Sequence, residues 1–199
     1  MSGGHTQIVL VDENLEMNIL GQTRDDAAGE AFDKTGKMLG LPYPAGPHID
    51  RAAKHGKVVY QFPEPDIPGL DFSFSGLKTA ILYFLRDQMN ENENFIKENI
   101  NNICASIQDR IITILMNKLV KAAKQTGINA VSIAGGVSAN SGLRNALEET
   151  GKKLGWNTYI PKFEYCTDNA AMIAMAASFK FKKGEFAEQT ISPSARLPF

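Results

Sequence analysis

The chain has 199 residues, 43% of them apolar and 22% charged, which is the composition of a soluble globular protein with a buried core. Its 21 basic and 22 acidic side chains leave a net charge of -1, so the basic excess of an autonomous nucleic-acid binder is absent and RNA contact would need a local patch. No apolar run is long enough to span a bilayer, and the N-terminus lacks the basic n-region and continuous h-region of a secretory signal, so a cytoplasmic protein is expected.

In chain order, MSGGHTQIVL opens with a glycine pair running into a β-prone segment. Residues 5–12 and 16–23 are two such segments separated by the turn-like Asp12-Glu13-Asn14, which predicts a hairpin. In TRDDAAGEAFDKTGKMLGL the residues Ala28, Ala31, Phe32, Thr35 and Leu39 recur at helical spacing, with Thr23 or Asp25 as the expected cap. The stretch from Leu41 to Gly76 carries most of the nine prolines and reads as a loop-rich insertion with one short helix at 49–54. SGLKTAILYFLRDQM follows as an amphipathic helix with Ser75 as a plausible N-cap, broken by the polar NENEN run.

From Phe95 to about Gln125, apolar residues spaced by three or four (Ile103, Ile107, Ile111 and Leu115 among them) predict one long core helix ended by Gly127. The remainder alternates: strand AVSIA, turn GGVSAN, helix SGLRNALEETGKKL, strand NTYI and helix DNAAMIAMAASFKF. Strand-helix-strand order implies a parallel pair with a right-handed crossover, and hence an α/β fold. Cys104 and Cys166 have no CxxC or metal-ligand spacing and read as reduced structural thiols.

Four places could carry chemistry. AGGVSAN sets Gly135 and Gly136 after a strand, with Ser138 and Asn140 before a helix, so a ligand could approach the backbone and meet the positive helix end; a tight, well-capped turn is the equal alternative. SGGHT offers Gly3 and Gly4 amides as a weak anion nest. Asp26, Glu30 and Asp33 lie at i, i+4 and i+7, either as a solvated helix face or with a carboxylate accepting from ligand hydroxyls. In CTDNAA, Thr167 or Asp168 is the expected cap of the last helix; Asp168 could instead bind a metal, although His5, His48 and His55 form no HxxxH or HExxH pattern. The lysines from Lys118 to Lys183 read as solvated helix faces before a phosphate-contacting patch.

Taken together and in this order, SGGHTQ, TRDDAAGEAFDKTGKMLGL, YPAGP, DFSFSGLKTA, AGGVSAN and CTDNAAMIA resemble the TsaD family, also named YgjD or Gcp and historically described as an O-sialoglycoprotein endopeptidase. The resemblance implies an actin-like fold of the Hsp70/actin ATPase superfamily. It implies a role in making threonylcarbamoyladenosine: transfer of threonylcarbamoyl from its adenylate to the adenosine beside the anticodon, in tRNAs reading codons that begin with A. A TsaB-like paralogue and a TsaE-like ATPase are the implied partners. The protease description has no support in the residues, which offer no zinc-protease helix and no nucleophile with a recognisable base.

Carried onto this sequence, the resemblance assigns Ser2, Gly3, Gly4 and His5 to a substrate-contacting loop. It assigns Asp33 and Gly46 to the nucleotide, with Asp50 as companion acid, Asn140 to the second nucleotide loop, and Asp168 to a divalent metal, iron or zinc. YPAGP departs from the usual YPGGP at Ala45, with an expected cost in backbone freedom. The family's HxxxH pair belongs to a lobe preceding SGGHT. The expectation is therefore that residues 1–199 are the C-terminal actin-like lobe, with a proline-rich and helical insertion at about 41–92, and that this chain alone has little or no transferase activity. Two other readings are an actin-like nucleotide-binding module and a noncatalytic assembly subunit that self-associates through an exposed interlobe surface.

Overall fold

The computed structural model describes residues 4–13 and 15–193; the readings at Ser2 and Gly3 lie outside the described residues. Strands Gln7–Val11 (β1) and Met17–Gln22 (β2) form the expected antiparallel hairpin, with Gln7 opposite Gln22, Val11 opposite Met17 and a register shift between Ile8 and Val9. Thr6, fully buried just before β1, accepts the Ala28 N–H through its hydroxyl at 2.8 Å. That bond satisfies an otherwise orphaned amide at the start of helix α1 (Ala28–Met38).

The expected caps of α1 act elsewhere. Thr23 donates its hydroxyl to the Asp26 carbonyl at 2.7 Å. The Asp25 carboxylate accepts from the hydroxyls of Ser73 and Ser75 and from the amides of Phe74 (2.8 Å) and Ser75 (3.3 Å). Asp25 therefore caps a helix almost fifty residues away, α3 (Ser75–Glu91), and Ser75 is that helix's first residue rather than its cap. A carboxylate offers several acceptor sites to an amide end that carries partial positive charge, so it displaces the weaker serine cap.

The short helix in the proline-rich stretch is α2, Gly46–Ala53. Beyond it the chain has little regular structure, yet it is fastened to the long helix α4 (Phe95–Thr126). The Ser106 hydroxyl accepts the Val59 and Tyr60 amides at 3.2 and 3.1 Å, Asn102 accepts the Lys57 amide, and Lys118 donates to the carbonyls of Ile67 and Gly69. Tyr60, Phe62, Phe84 and Phe95 add tilted and edge-on ring contacts with centroids 4.9 to 5.9 Å apart. Such pairs stabilise by more than their buried area alone.

Helix α4 is the axis of the core. Ile103, Ile107 and Ile111 are fully buried, and α1, α2, α3 and helix α5 (Ser141–Leu154) all pack on it. Gly127, at φ 72°, ends it in the left-handed conformation, as expected. Cys104 is buried in the same core, and burial pushes its thiol up to about 11, which fits a structural thiol. Strands Ala130–Ser132 (β3) and Asn157–Tyr159 (β4) pair in parallel across α5. The chain is thus mixed α/β as predicted, with one antiparallel and one parallel two-stranded sheet among the described residues.

Helix α6 (Ala170–Lys183) stands apart. None of its residues is buried, although Met172, Ile173, Met175, Phe179 and Phe181 make it apolar around most of its circumference. Among the described residues, no helix is long and apolar enough to cross a membrane.

Partial burial pushes the Asp25 carboxyl up, but the bonds from Ser73, Phe74 and Ser75 outweigh it and hold the group below its usual range. A lowered folded pKa contributes stability that is complete above the unfolded value near pH 4 and is lost as pH falls through the folded value. Asp25→Ala should therefore destabilise the chain by about 1 kcal/mol in urea unfolding at pH 7, the exposed side of the carboxylate limiting the effect, and by less in strong acid, where the protonated carboxyl keeps only neutral hydrogen bonds.

Candidate functional site

β3 leads through Ile133 into Gly135, whose φ of 85° and ψ of 172° favour glycine. A short 3-10 turn over Gly136–Ala139 follows, with Val137 and Ser138 buried. The Ser138 hydroxyl is enclosed without a hydrogen-bond partner among the described residues. Asn140 then starts α5: its Oδ1 accepts the Leu143 amide at 3.0 Å, and its Nδ2 donates to Gln108 Oε1 of α4 at 2.7 Å. Both amide side chains are buried, so each satisfies the other where water cannot.

Asp50 reaches the same helix end from α2. Its Oδ1 accepts the Ser141 amide at 3.1 Å and hydroxyl at 2.7 Å, while Oδ2 faces Lys54 Nζ at 3.6 Å. Asn140 and Asp50 together engage amides of the first turn of α5. The expected open, positive helix end is filled by protein acceptors, and what remains for a ligand is the glycine turn before it.

Asp33, on α1, is half-buried, and its Oδ1 accepts the Ala45 amide at 2.7 Å. Among the described residues only that oxygen is engaged, leaving Oδ2 for another donor. Gly46 follows directly as the first residue of α2, with open space where a Cβ would stand. Ala45 adopts φ -83°, ψ -20°, an ordinary conformation, so the expected cost of alanine there does not arise. It sits instead on Gly36 of α1, where an added Cβ would lie 2.2 Å from the Ala45 Cβ. Hydrogen bonds thus link α1 to the 45–46 turn, and α2 to the start of α5, and α1 also packs against the 136–139 turn. Asp33, Gly46, Asp50 and Asn140 are brought into one neighbourhood.

The remaining candidates are placed as follows. Gly4 and His5 are exposed just before Thr6. Asp168 is exposed, and the residue after it, Asn169, caps α6 by accepting the Met172 amide at 2.9 Å; the predicted cap shifts by one residue because Asn169 takes the extended conformation. Asp26 precedes α1 rather than sharing its face. It and Glu30 both approach Lys34 Nζ at 2.7 Å, while Asp33 turns to Ala45, so the three carboxylates serve two purposes. Lys118 straps the proline-rich loop through its bonds to the Ile67 and Gly69 carbonyls, and burial pushes its pKa down.

Two residues escaped the sequence reading. Gln108 is, with Ser106, a polar residue among the buried side chains of α4, a weak signal of a buried polar partner. Arg144, on α5, carried no signal. Its guanidinium donates to the Ser138 carbonyl at 3.0 Å and the Pro161 carbonyl at 2.7 Å, lies 3.7 Å from Cys166 Sγ, and stacks 4.3 Å above the Phe163 ring.

A family model described as "TsaD: tRNA N6-adenosine threonylcarbamoyltransferase" matches residues 1–175. Proteins named tRNA N6-adenosine threonylcarbamoyltransferase are similar over nearly the whole chain: that of Riemerella anatipestifer is 56% identical over 98% of it, and that of Cytophaga hutchinsonii 54% over 99%. A more distant relative from Halalkalibacterium halodurans is 47% identical over 99%. In each case the chain spans 58% of the relative's own length.

Asn140→Ala should lower stability by about 2 kcal/mol in chemical unfolding, because it removes a helix cap and leaves the Gln108 carbonyl buried without its donor. Gly36→Ala should also destabilise, since the clash falls on the Ala45 Cβ and no flexible side-chain end can yield.

Proposed function

The chain belongs to the TsaD family, and we propose that it provides the nucleotide-facing part of a tRNA N6-adenosine threonylcarbamoyltransferase. The reaction is acyl transfer. The adenosine N6 amine of tRNA attacks the threonylcarbamoyl carbonyl of threonylcarbamoyl-AMP, an N–C bond forms, the C–O bond to AMP breaks, and the amine loses a proton. The acceptor is the adenosine beside the anticodon of tRNAs reading A-starting codons.

The observation that supports this reading is that Asp33 accepts the Ala45 amide beside Gly46, Asp50 of the helix that Gly46 begins accepts the Ser141 amide beside Asn140, and α1 packs against the 136–139 turn. Asp33 Oδ2 suits a ribose hydroxyl as donor, and the Gly46 backbone is open to close approach. The Gly135–Gly136 backbone can approach the phosphate without side-chain hindrance. Asn140 and Asp50 act through α5, holding the turn still. Such fixed placement lowers the entropic barrier to reaction of two bound substrates. Gly4 and His5, with Ser2 and Gly3, form the proposed substrate-contacting loop.

Asp168 is the proposed ligand of a divalent metal, iron or zinc, that would orient phosphate and carbonyl. The described residues do not make a complete site for such an ion: no group of three His, Cys, Asp or Glu among them could hold a metal, and Asp168 itself is exposed. The actin-like fold, a cytoplasmic setting, tRNA, a TsaB-like paralogue and a TsaE-like ATPase complete the proposal. The exposed apolar α6 favours, as a second reading, a role in assembly, including with a second copy of the chain.

Isothermal titration of the chain with AMP and with a stable threonylcarbamoyl-AMP analogue tests the nucleotide site. Saturable binding is expected, weakened about tenfold or more by Asp33→Ala, the loss of one or two charge-assisted hydrogen bonds. Wild-type protein that gives no saturable heat with either compound would overturn the reading.

A further inference from the structure

We propose that Arg144 is a positioning residue that holds the Asp168-bearing segment in register with the Gly135–Asn140 turn, an inference that rests on the nucleotide-site reading. The two segments belong to different parts of the chain. The first precedes α5; the second follows β4 and runs through the 3-10 turn at Phe163–Tyr165 to Cys166. The β3–β4 ladder pairs Ala130 with Asn157 through Ser132 with Tyr159, and the Ile133 amide adds a bond to the Tyr159 carbonyl, short of both Ser138 and Pro161.

Arg144 spans the gap with a single planar group. Nη1 donates to the carbonyl of Ser138, inside the glycine turn, and Nη2 donates to the carbonyl of Pro161, at the entry of the second segment. The guanidinium face covers Phe163, and Cys166 Sγ lies against Nη1. Cys166 is itself buried and directs its thiol to the Lys162 carbonyl, closing the turn two residues before Asp168. Phe163 is 64% exposed, so the cation, and no apolar core, holds its ring in place.

The chemistry requires arginine. Two divergent carbonyl acceptors and an aromatic face need a rigid fork of donors with a flat surface, whereas a lysine ammonium is a point charge on a flexible stem. Because Arg144 projects from α5, whose start Asn140 and Asp50 fix, the clamp is anchored to the same helix end that shapes the glycine turn. Movement at Ser138 is thereby transmitted to the segment carrying Asp168.

The test compares wild-type chain with Arg144→Lys, which keeps charge and length, and with Phe163→Leu, a change at an exposed site that leaves the fork's acceptors in place. Hydrogen exchange of backbone amides is measured first. Arg144→Lys should speed exchange about tenfold at residues 162–169 and in the 135–139 turn while the core of α4 is unchanged, and Phe163→Leu should give a smaller effect in the same places. Uniform acceleration that includes α4, or no local change in either variant, would overturn the proposal.

Amide resonances are then followed during titration with AMP. Wild-type protein should respond in both 135–140 and 166–169, and Arg144→Lys only in 135–140. A response at 166–169 that survives in Arg144→Lys would count decisively against coupling through the guanidinium. Wild-type protein without any response to AMP would sink the nucleotide reading, and the exchange comparison would still decide the clamp.

Discussion

The bond between Asn140 and Gln108 is the constraint on which the rest of the site depends. It joins the longest buried helix, α4, to the first turn of α5 at 2.7 Å, in a place closed to water. A buried amide pair of this kind is satisfied only in one arrangement, so it fixes direction as well as distance. Asn140 spends its carbonyl on the helix and its amino group on the core, and Asp50 then reaches the neighbouring Ser141 from α2. The glycine turn is held from behind, and its front is left to glycine backbone.

The same logic runs through the proline-rich stretch. Composition marks it as loop, and it is loop, but it is not loose. Ser106, Asn102 and Lys118 project from α4 and satisfy its backbone groups, and four aromatic rings seal it. An irregular segment can lie against a core only when its amides and carbonyls find partners, and a long helix supplies them at regular intervals. Its polar residues at 102, 106 and 108 are as structural as its isoleucines.

Much of this was legible in the sequence because it depends on local pattern. Hairpin, helices and the parallel pair follow from periodicity and from glycine at helix ends, and Gly127 ends α4 where its spacing predicts. Asn140 as a cap was also readable, since Asn before SGL is a local signal. The caps of α1 and α3 were not. Thr6 and Asp25 serve helices distant from themselves in sequence, and a window of a few residues cannot reveal which carboxylate meets which amide. Arg144 was hidden for the same reason, since its partners are two carbonyls and a ring brought near only by folding.

Asp25 also has a temporal meaning. Its hydrogen bonds reach 48 to 50 positions along the chain, so they do not exist until residues 73–75 have arrived. During synthesis the hairpin and α1 emerge before the helix that Asp25 caps, and the carboxylate waits in water. Closing so long a loop has an entropic cost that must be met before the contact rewards it. The first third of the chain is therefore a provisional structure, made permanent by a partner that is translated later.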